Sequence, residues 1–361
     1  MRHILHSSIV YLTVLTAFAA AVLMLYQTIK AHRSPYGDFG QPCLPVIDKW
    51  SVRSIDTQVV SRHWLRVPED SIREQIRLLK DLGVNYIAVA TPYDRNLELK
   101  AWVDEIHSQG LFVWFRSHWA QWEGDDGMQA ILSPQEYLDK TIDFITTNRE
   151  LFKEGDAFTV SVEPEQVGVG IGRRFLTWDN YRQFILDQIS YANKAFTKIG
   201  LHHKIHTNWI SVNGWIVENA FTQELVDKLG LIVIDHYSQQ NQTIGDWENP
   251  AIYTDMMSRD LDRYYNQWKK PILLGEWGYQ IFQESDEKMQ AEVIYEVFKM
   301  LQTKPYLIGV NYWVHMGHHS RIIGDEYGSN LEYRLGALAI KDFYDDGEIG
   351  LLSSSNNNND K

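Results

Sequence analysis

The sequence contains a single cysteine, Cys43, among 361 residues. One thiol excludes an intrachain disulfide framework and a zinc site built from several cysteines. The chain also lacks a block rich in lysine and arginine, and its net charge is −13. Because a nucleic-acid backbone requires a basic binding surface, we expect no nucleic-acid partner.

Charged residues are absent from one long run near the N-terminus, residues 9–26. This run is about long enough to span a bilayer as a helix, and no small-x-small cleavage site follows it. We therefore expect residues 1–30 to form a membrane anchor, with a cleaved secretory signal as the alternative. Residues 31–50, rich in proline and glycine, are predicted to be a linker, and residues 349–361 a disordered tail. The domain between them, residues 51–348, is expected on the extracytoplasmic side of the membrane, or secreted if the run is cleaved.

Aromatic residues, by contrast, are abundant, with 13 Trp and 19 Tyr. A large packed core explains such numbers as well as a cleft lined by flat aromatic faces, which is how proteins hold sugar rings. Composition alone leaves both interpretations open.

Between its ends the sequence alternates helical patterns with short apolar runs. Five of the helical segments end in a glycine just before such a run: Gly83, Gly110, Gly155, Gly200 and Gly230. This arrangement is typical of repeated βα units. Strands are predicted near residues 54–60, 84–94, 111–119, 156–165, 202–210, 231–238, 271–280 and 307–317.

Eight βα units predict an α/β fold, a (β/α)8 TIM barrel that forms a single catalytic domain. A doubly wound open sheet is the alternative. That fold would require a glycine-rich phosphate loop after the first strand, and the sequence has none there.

Polar and aromatic side chains concentrate at the C-terminal ends of six predicted strands, where barrel enzymes carry their chemistry. In chain order they are Arg116, His118 and Trp119; Glu163 and Glu165; His206, Asn208 and Trp209; Asp235, His236 and Tyr237; Glu276 and Trp277; and Asn311, Tyr312, Trp313 and His315. A single such end would be an ordinary cap or ion pair. Six at the same end of the barrel indicate a functional site.

Strand alternation predicts the direction of the carboxylates. In an ideal strand seven, Leu274 and Glu276 share a face opposite Leu273. In an ideal strand four, Glu163 and Glu165 share a face. We therefore expect Glu276 and one of these two glutamates to point into the same barrel mouth.

Three short motifs carry a family resemblance: "VEP" at 162–164, "HY" at 236–237 and "GEWG" at 275–278. At these residues the chain resembles the clan A glycoside hydrolases, especially their cellulase-like members, which are retaining β-glycosidases with a (β/α)8 barrel. The resemblance covers about residues 52–345. It implies that Glu163 is the catalytic acid/base and Glu276 the nucleophile.

The same resemblance implies roles for residues around the two glutamates. His236 and Tyr237 resemble a pair that contacts the nucleophile, Arg116 and His118 resemble basic residues beside it, and Trp313 resembles the floor of a sugar subsite. The remaining candidate substrate-binding residues are Trp119, Glu165, Asn208, Trp209 and Trp277.

Val162 departs from the family pattern, which has Asn before the acid/base glutamate. The family's Asn holds the 2-hydroxyl of the reacting sugar, a contact that strengthens in the transition state. We expect Asn208 or Asn311 to supply a substitute amide.

The sequence thus predicts a retaining glycoside hydrolase that cleaves β-glycosidic bonds in a poly- or oligosaccharide by double displacement. Such chemistry needs one protonated and one ionised carboxyl group, so we expect no cofactor and no metal ion. The expected partners are a carbohydrate and the membrane, and the chain is expected to be a monomer. A non-catalytic carbohydrate-binding barrel is the alternative, because of Val162. A metal-dependent barrel hydrolase is disfavoured, since the first strand lacks His-x-His.

Overall fold

The computed structural model describes residues 50–62, 67–91, 96–120, 132–166, 177–237, 249–281, 286–324 and 330–344. All of them belong to one compact unit, residues 47–350. The expected anchor at 1–30, the linker up to residue 49 and the tail at 349–361 lie outside the described residues. Within the described ranges, no helix is long and apolar enough to cross a membrane.

Eight parallel strands form one sheet whose two edges meet. They are β1 Val52–Asp56, β2 Tyr86–Thr91, β3 Phe112–Ser117, β4 Ala157–Thr159, β5 Ser211–Asn213, β6 Ile232–Asp235, β7 Ile272–Trp277 and β8 Leu307–Tyr312. Their order is β4-β3-β2-β1-β8-β7-β6-β5, and a bridge from Ala157 of β4 to His206, in the segment before β5, brings the two edges together. The sheet is therefore a nearly closed barrel, which confirms the predicted (β/α)8 architecture.

Helices separate consecutive strands and cover the outside of the barrel. They are α1 Gln58–Ser61, α2 Glu69–Asp81, α3 Asn96–Ser108, α4 Pro134–Thr147, α5 Trp178–Lys198, α6 Gly214–Asn219, α7 Gln223–Leu229, α8 Pro250–Trp268, α9 Glu287–Leu301 and α10 Leu335–Tyr344, with a 3-10 turn at Arg149–Leu151. Capping residues mark the ends of two of these helices. A reciprocal hydrogen-bonded cap between Ser133 and Glu136 starts α4. Gly230, at a φ of 78°, ends α7 in the left-handed conformation that glycine adopts without strain.

Apolar residues fill the N-terminal half of the barrel interior. The interior cluster consists of Val52, Tyr86, Ala88, Trp114, Ala157, Trp209, Leu231, Val233 and Leu273. At its centre the Trp209 ring lies 4.9 Å from that of Trp114 and 5.2 Å from that of Tyr86. This packed layer closes the barrel below, so the polar residues gather at the C-terminal end.

The predicted strands run longer than the observed ones at most ends, and three of the differences change the description of the barrel. β1 ends at Asp56, and residues 58–61 are helical rather than extended. β4 ends at Thr159 instead of running to 165. The prediction of strand five at 202–210 was wrong, because β5 is Ser211–Asn213. In the segment before Ser211, Lys204 and His206 hydrogen-bond to residues 155–158, but this pairing amounts to a bridge rather than a strand.

Candidate active site

A β-bulge turns Glu276 into the barrel. β7 has one more residue than either neighbour at this point, because Asp235 of β6 pairs with Glu276 while Ile234 pairs with Leu274. The extra residue is Gly275, where the register with β8 shifts as well. Leu273 belongs to the barrel interior and Leu274 to the core beneath the helices. Without the bulge, Glu276 would follow Leu274 outward, so the prediction that these two share a face was wrong.

Gly275 is required at the bulge by close packing. A Cβ atom there would lie 2.6 Å from Oδ1 of Asp235 and 2.7 Å from Cβ of Ser211. Both distances are shorter than any side chain tolerates. Glycine in a strand often marks such a bulge, and here it lets three strands approach around a buried carboxylate.

Two donors hold the Glu276 carboxylate, which is 3% exposed. The guanidinium of Arg116, at the end of β3, donates to Oε1, and the Tyr237 hydroxyl donates to Oε2 at 2.9 Å. Arg116 also donates to the carbonyl oxygen of Gly275. Charge-assisted hydrogen bonds of this kind favour the ionised carboxylate and fix its direction.

Arg116 is shared among several buried acids. Its Nε lies 3.5 Å from Asp56, and its Nη2 lies 3.8 Å from Asp235. Burial raises the pKa of Glu276, Arg116 lowers it, and the Asp235 and Asp56 charges raise it again. Burial likewise raises the pKa of Asp235 and of Asp56. One guanidinium facing three carboxyl groups therefore leaves the Glu276 pKa above its ordinary value.

The chain bends sharply after β4 to present Glu163. This residue has a φ of 40°, a conformation that non-glycine residues rarely adopt and that is enriched at functional sites. Its backbone N–H donates to the carbonyl oxygen of Ser211 at 3.1 Å, which ties the bend to β5. The side-chain amide of Asn213 donates to Oε1 of Glu163 at 2.7 Å. Glu163 therefore reaches the site from an irregular turn rather than from an extended strand.

Glu163, Asp235 and Glu276 converge. One carboxylate oxygen from each lies within 4.8 Å of the others, and all three residues are buried. Retaining glycosidases hold their two carboxyl groups about 5–5.5 Å apart, and inverting ones about 6.5–9.5 Å apart. One oxygen of Glu163 therefore lies no more than 4.8 Å from one oxygen of Glu276. Such a triad also has the ligand types for a cation, but the Arg116 charge already occupies the Glu276 side.

Glu165 lies beside Glu163 but points toward a helix. Its Oε1 accepts hydrogen bonds from the Asn213 backbone N–H at 2.7 Å and side-chain amide at 3.0 Å. Its Oε2 accepts the Tyr181 hydroxyl of α5 at 3.3 Å. Burial raises the pKa of Glu165 to about 7. Glu165 therefore positions Asn213, which in turn contacts Glu163.

The two tryptophans predicted from strand ends three and seven face away from the barrel mouth. The Trp119 indole donates to Thr141 of α4 at 2.8 Å, and the Trp277 indole donates to Tyr253 of α8 at 2.8 Å. Both rings pack in the core between sheet and helices. The structure therefore does not bring either residue to the carboxylates, because each follows the outward direction of its strand.

Asn208 and Trp209 also lie apart from the carboxylates. The Asn208 amide donates to the carbonyl oxygen of Leu229 at 2.8 Å, and Trp209 belongs to the interior cluster below the site. Asn311, the other amide expected to replace the family's Asn, donates to Asp56 at 3.0 Å and to Gly275 at 2.8 Å. Asn208 lies away from the carboxylates because β5 begins after it, at Ser211. Asn311 lies inside β8 rather than beyond its end, so its amide bonds within the barrel.

The remaining predicted residues flank the site. His236 donates its backbone N–H to the carbonyl oxygen of Glu276 at 2.9 Å, but its ring lies 3.1 Å from Asp260 of α8. It therefore supports β7 rather than contacting the carboxylate. His118 is buried directly after β3. Trp313 follows β8, is half-buried, and donates its backbone N–H to the carbonyl oxygen of Trp277 at 2.8 Å.

Sequence reasoning missed Asn213, Tyr181 and Asp56 as members of the site. Asn213 sits in "SVNG", which reads as an ordinary turn before a helix once strand five is placed too early. Tyr181 lies one turn into α5 and carries no motif. Asp56 is the last residue of β1. A prediction that ended the first strand there would have placed Asp56 among the polar strand ends.

Known protein structures share this fold. A β-D-glucuronidase from Dictyoglomus thermophilum matches 82% of the chain with a TM-score of 0.57 and 14% identity. A β-glucuronidase from Ruminococcus gnavus in complex with D-glucuronic acid matches 82% with a TM-score of 0.57 and 12% identity. The chain spans about half the length of each, 50% and 49%.

A GH113 β-1,4-mannanase matches 82% of this chain and 99% of its own, with a TM-score of 0.50 and 15% identity. The chain has the fold of these glycosidases. No protein-family model matches it, and no curated protein sequence does. The likeness is one of fold, and one fold hosts many unrelated activities.

Proposed function

We propose that the chain is a retaining β-glycosidase that acts on a poly- or oligosaccharide, with Glu276 as nucleophile and Glu163 as acid/base. The observation that carries this proposal is that one oxygen of Glu163 lies within 4.8 Å of one oxygen of Glu276. A water molecule that attacks from the far face of the sugar needs a wider gap, so this spacing supports direct attack by a carboxylate.

The proposed reaction has two steps. In the first, the Glu276 carboxylate attacks the anomeric carbon while the bond to the leaving oxygen breaks. That oxygen takes the electron pair of the broken bond and the proton of Glu163. In the second, the Glu163 carboxylate removes a proton from water, whose oxygen bonds to the anomeric carbon and releases Glu276. Arg116 and Tyr237 support this division of roles, because their hydrogen bonds orient Glu276 for attack.

Val162 stands where the family has an Asn before its acid/base glutamate. Of the three side-chain amides Asn208, Asn213 and Asn311, Asn213 is the best placed to support Glu163. It donates to Glu163 and is half-buried, whereas Asn208 and Asn311 are committed elsewhere. We assign it the role of holding Glu163 in position while the proton is transferred.

The test is hydrolysis by the purified full-length chain of β-glucans, β-mannan, xylan and a set of aryl β-glycosides that includes an aryl β-glucuronide. The set includes β-mannan and an aryl β-glucuronide because a β-1,4-mannanase and a β-D-glucuronidase share this fold. The proposal expects turnover of at least one substrate and its loss in Glu276→Gln. Turnover that is equal in wild type and Glu276→Gln would contradict it.

A second candidate function is sugar binding without catalysis. It is favoured by Val162, a buried apolar residue that cannot hold the 2-hydroxyl of the reacting sugar as the family's Asn does. It predicts saturable binding of a β-linked oligosaccharide with no hydrolysis of any substrate in the set. The two functions thus differ in turnover and not in binding.

A further inference from the structure

An exposed tryptophan stands next to the site. Trp215 is the second residue of α6, which begins directly after β5, and it is 49% exposed. Helices of a (β/α)8 barrel begin at the C-terminal end of the strands, where the chemistry lies. Burying a large apolar side chain stabilises a protein by roughly 1.5–3 kcal/mol. An indole left half in solvent at this end of the barrel is therefore suited to a ligand.

A second tryptophan from the neighbouring βα unit meets the first. Trp178 is the first residue of α5 and is partly buried. Its ring centroid lies 6.2 Å from that of Trp215, with an angle of 63° between the planes. Two separate helix starts thus contribute to one aromatic surface, which we call the tryptophan platform.

A continuous series of contacts joins the platform to Glu163. The Trp178 ring lies 6.1 Å from that of Tyr181, whose hydroxyl donates to Glu165 at 3.3 Å. Glu165 accepts the backbone N–H of Asn213 at 2.7 Å, and the Asn213 side chain donates to Glu163. The platform is therefore attached to the β4 and β5 side of the site. The contacts of Glu276 come instead from Arg116 of β3 and from Tyr237 after β6.

This placement distinguishes two sides of a bound sugar chain. In a retaining site, the acid/base faces the leaving-group oxygen and the nucleophile faces the anomeric carbon. A surface attached to Glu163 rather than to Glu276 is therefore next to the leaving group. Flat aromatic faces with a polar edge suit pyranose rings, which present apolar C–H faces and polar rims.

We propose that Trp178 and Trp215 form a binding platform for sugar units on the leaving-group side of the scissile bond, so that the substrate is a β-linked chain rather than a short glycoside. This inference rests on the proposed function, which assigns the leaving-group side of the scissile bond to Glu163. It adds the two residues that hold the substrate and the side of the cleaved bond on which the sugar chain extends.

The test is calorimetric binding of four pentasaccharides to the full-length Glu276→Gln chain, which keeps the platform without turnover. The probes are β-1,4-gluco-, β-1,4-manno-, β-1,4-xylo- and β-1,3-glucopentaose. Trp215→Ala in this background should raise Kd about tenfold, which corresponds to ~1.4 kcal/mol. Trp215→Phe should restore most of the affinity. Leu338→Ala, which removes an exposed apolar side chain from α10, should leave Kd unchanged.

Binding of none of the four probes, or an unchanged Kd in Trp215→Ala, would overturn the platform. A change of oligomeric state in Trp215→Ala with unchanged sugar binding would overturn it too, because the indole would then contact a second copy of the chain.

Kinetic measurements on the active chain test the tryptophan platform independently of the proposed function. In the active chain, Trp215→Ala should lower kcat/KM for the bound pentasaccharide about tenfold relative to kcat/KM for an aryl glycoside. An unchanged ratio with intact aryl-glycoside turnover would overturn the platform and leave the glycosidase proposal standing. Absence of all turnover, with pentasaccharide binding that still depends on Trp215, would overturn the glycosidase and retain the platform as a sugar-binding surface.

Discussion

The side-chain amide of Asn213 donates a hydrogen bond of 2.7 Å to Glu163, across the gap between β5 and the turn after β4. The same amide lies 3.0 Å from Glu165. One neutral side chain thus holds two acidic ones in fixed positions, and Glu163 is the one that converges with Glu276.

Asn213→Ala should lower kcat/KM by about 10- to 100-fold, because Glu163 becomes charged as it gives up its proton and a hydrogen bond to a charged group contributes ~1.5–3 kcal/mol. Steady-state kinetics on the best substrate measures this. Asn208→Ala is the matched control, since its amide bonds to a backbone carbonyl outside the site. Equal losses in the two variants would contradict the assignment of Asn213.

The acid/base assignment predicts a difference between two neighbouring glutamates. Glu163→Ala should lose activity and recover it on activated aryl glycosides when azide is added, because azide replaces the second-step nucleophile without needing a base. Glu165→Ala should show no such rescue, since Glu165 bonds to Asn213 and Tyr181 instead. Rates with and without azide, together with isolation of a β-glycosyl azide, decide it. Rescue of Glu165→Ala alone would reverse the roles.

The buried acids predict the pH dependence. Glu276 must be ionised to attack, and burial together with Asp235 and Asp56 raises its pKa while Arg116 and Tyr237 lower it. Activity should therefore fall with decreasing pH at a midpoint above the ordinary glutamate value of about 4.3. Asp235→Asn removes one negative charge, so Glu276 loses its proton more easily and the midpoint should move to lower pH.

The pH profile of kcat/KM tests this, with Asp260→Asn as control. Asp260 is a carboxylate outside the barrel, beside His236 and Arg263. Its removal should leave the midpoint in place. A midpoint that moves upward in Asp235→Asn would contradict the electrostatic account.

The bulge at Gly275 predicts a loss of activity as well as of stability. Gly275→Ala places a methyl group against Asp235 and Ser211 and should displace Glu276, lowering kcat by at least about tenfold. Gly200→Ala has no atom within 4 Å of the new methyl group but has a φ of 81°. It should cost ~1–2 kcal/mol of stability and leave kcat unchanged. Thermal unfolding and kcat, measured on both variants, separate the two effects.

The sequence predicts the barrel well because its features are local. Glycines at positive φ follow the helices before β2, β3, β5 and β6, as their spacing indicates, whereas the helix before β4 ends at Thr147, well before Gly155. The two glutamates are likewise marked by short motifs. Contacts between distant strands are harder to predict. The bulge in β7 depends on packing against β5 and β6, and no periodicity within residues 271–280 reveals it.

The same limit explains the misplaced aromatic residues. Trp119 and Trp277 stand at strand ends, but whether a strand-end ring faces the barrel mouth or the helices depends on alternation and bulges. Trp215 carries no strand-end pattern, and only the start of α6 after β5 brings it to the C-terminal end of the barrel. A shift of a few residues in the predicted β5 likewise exchanged Asn213 for Asn208.

The nucleophile is the central claim, and covalent trapping tests it most directly. The chain is incubated with the 2-deoxy-2-fluoro analogue of the aryl β-glycoside that it hydrolyses fastest, digested, and examined by peptide mass spectrometry. The account predicts time-dependent inactivation and one added glycosyl group on Glu276, absent from Glu276→Gln. A label on Glu163 or on another residue, or release of a product of inverted configuration without any covalent label, would contradict it.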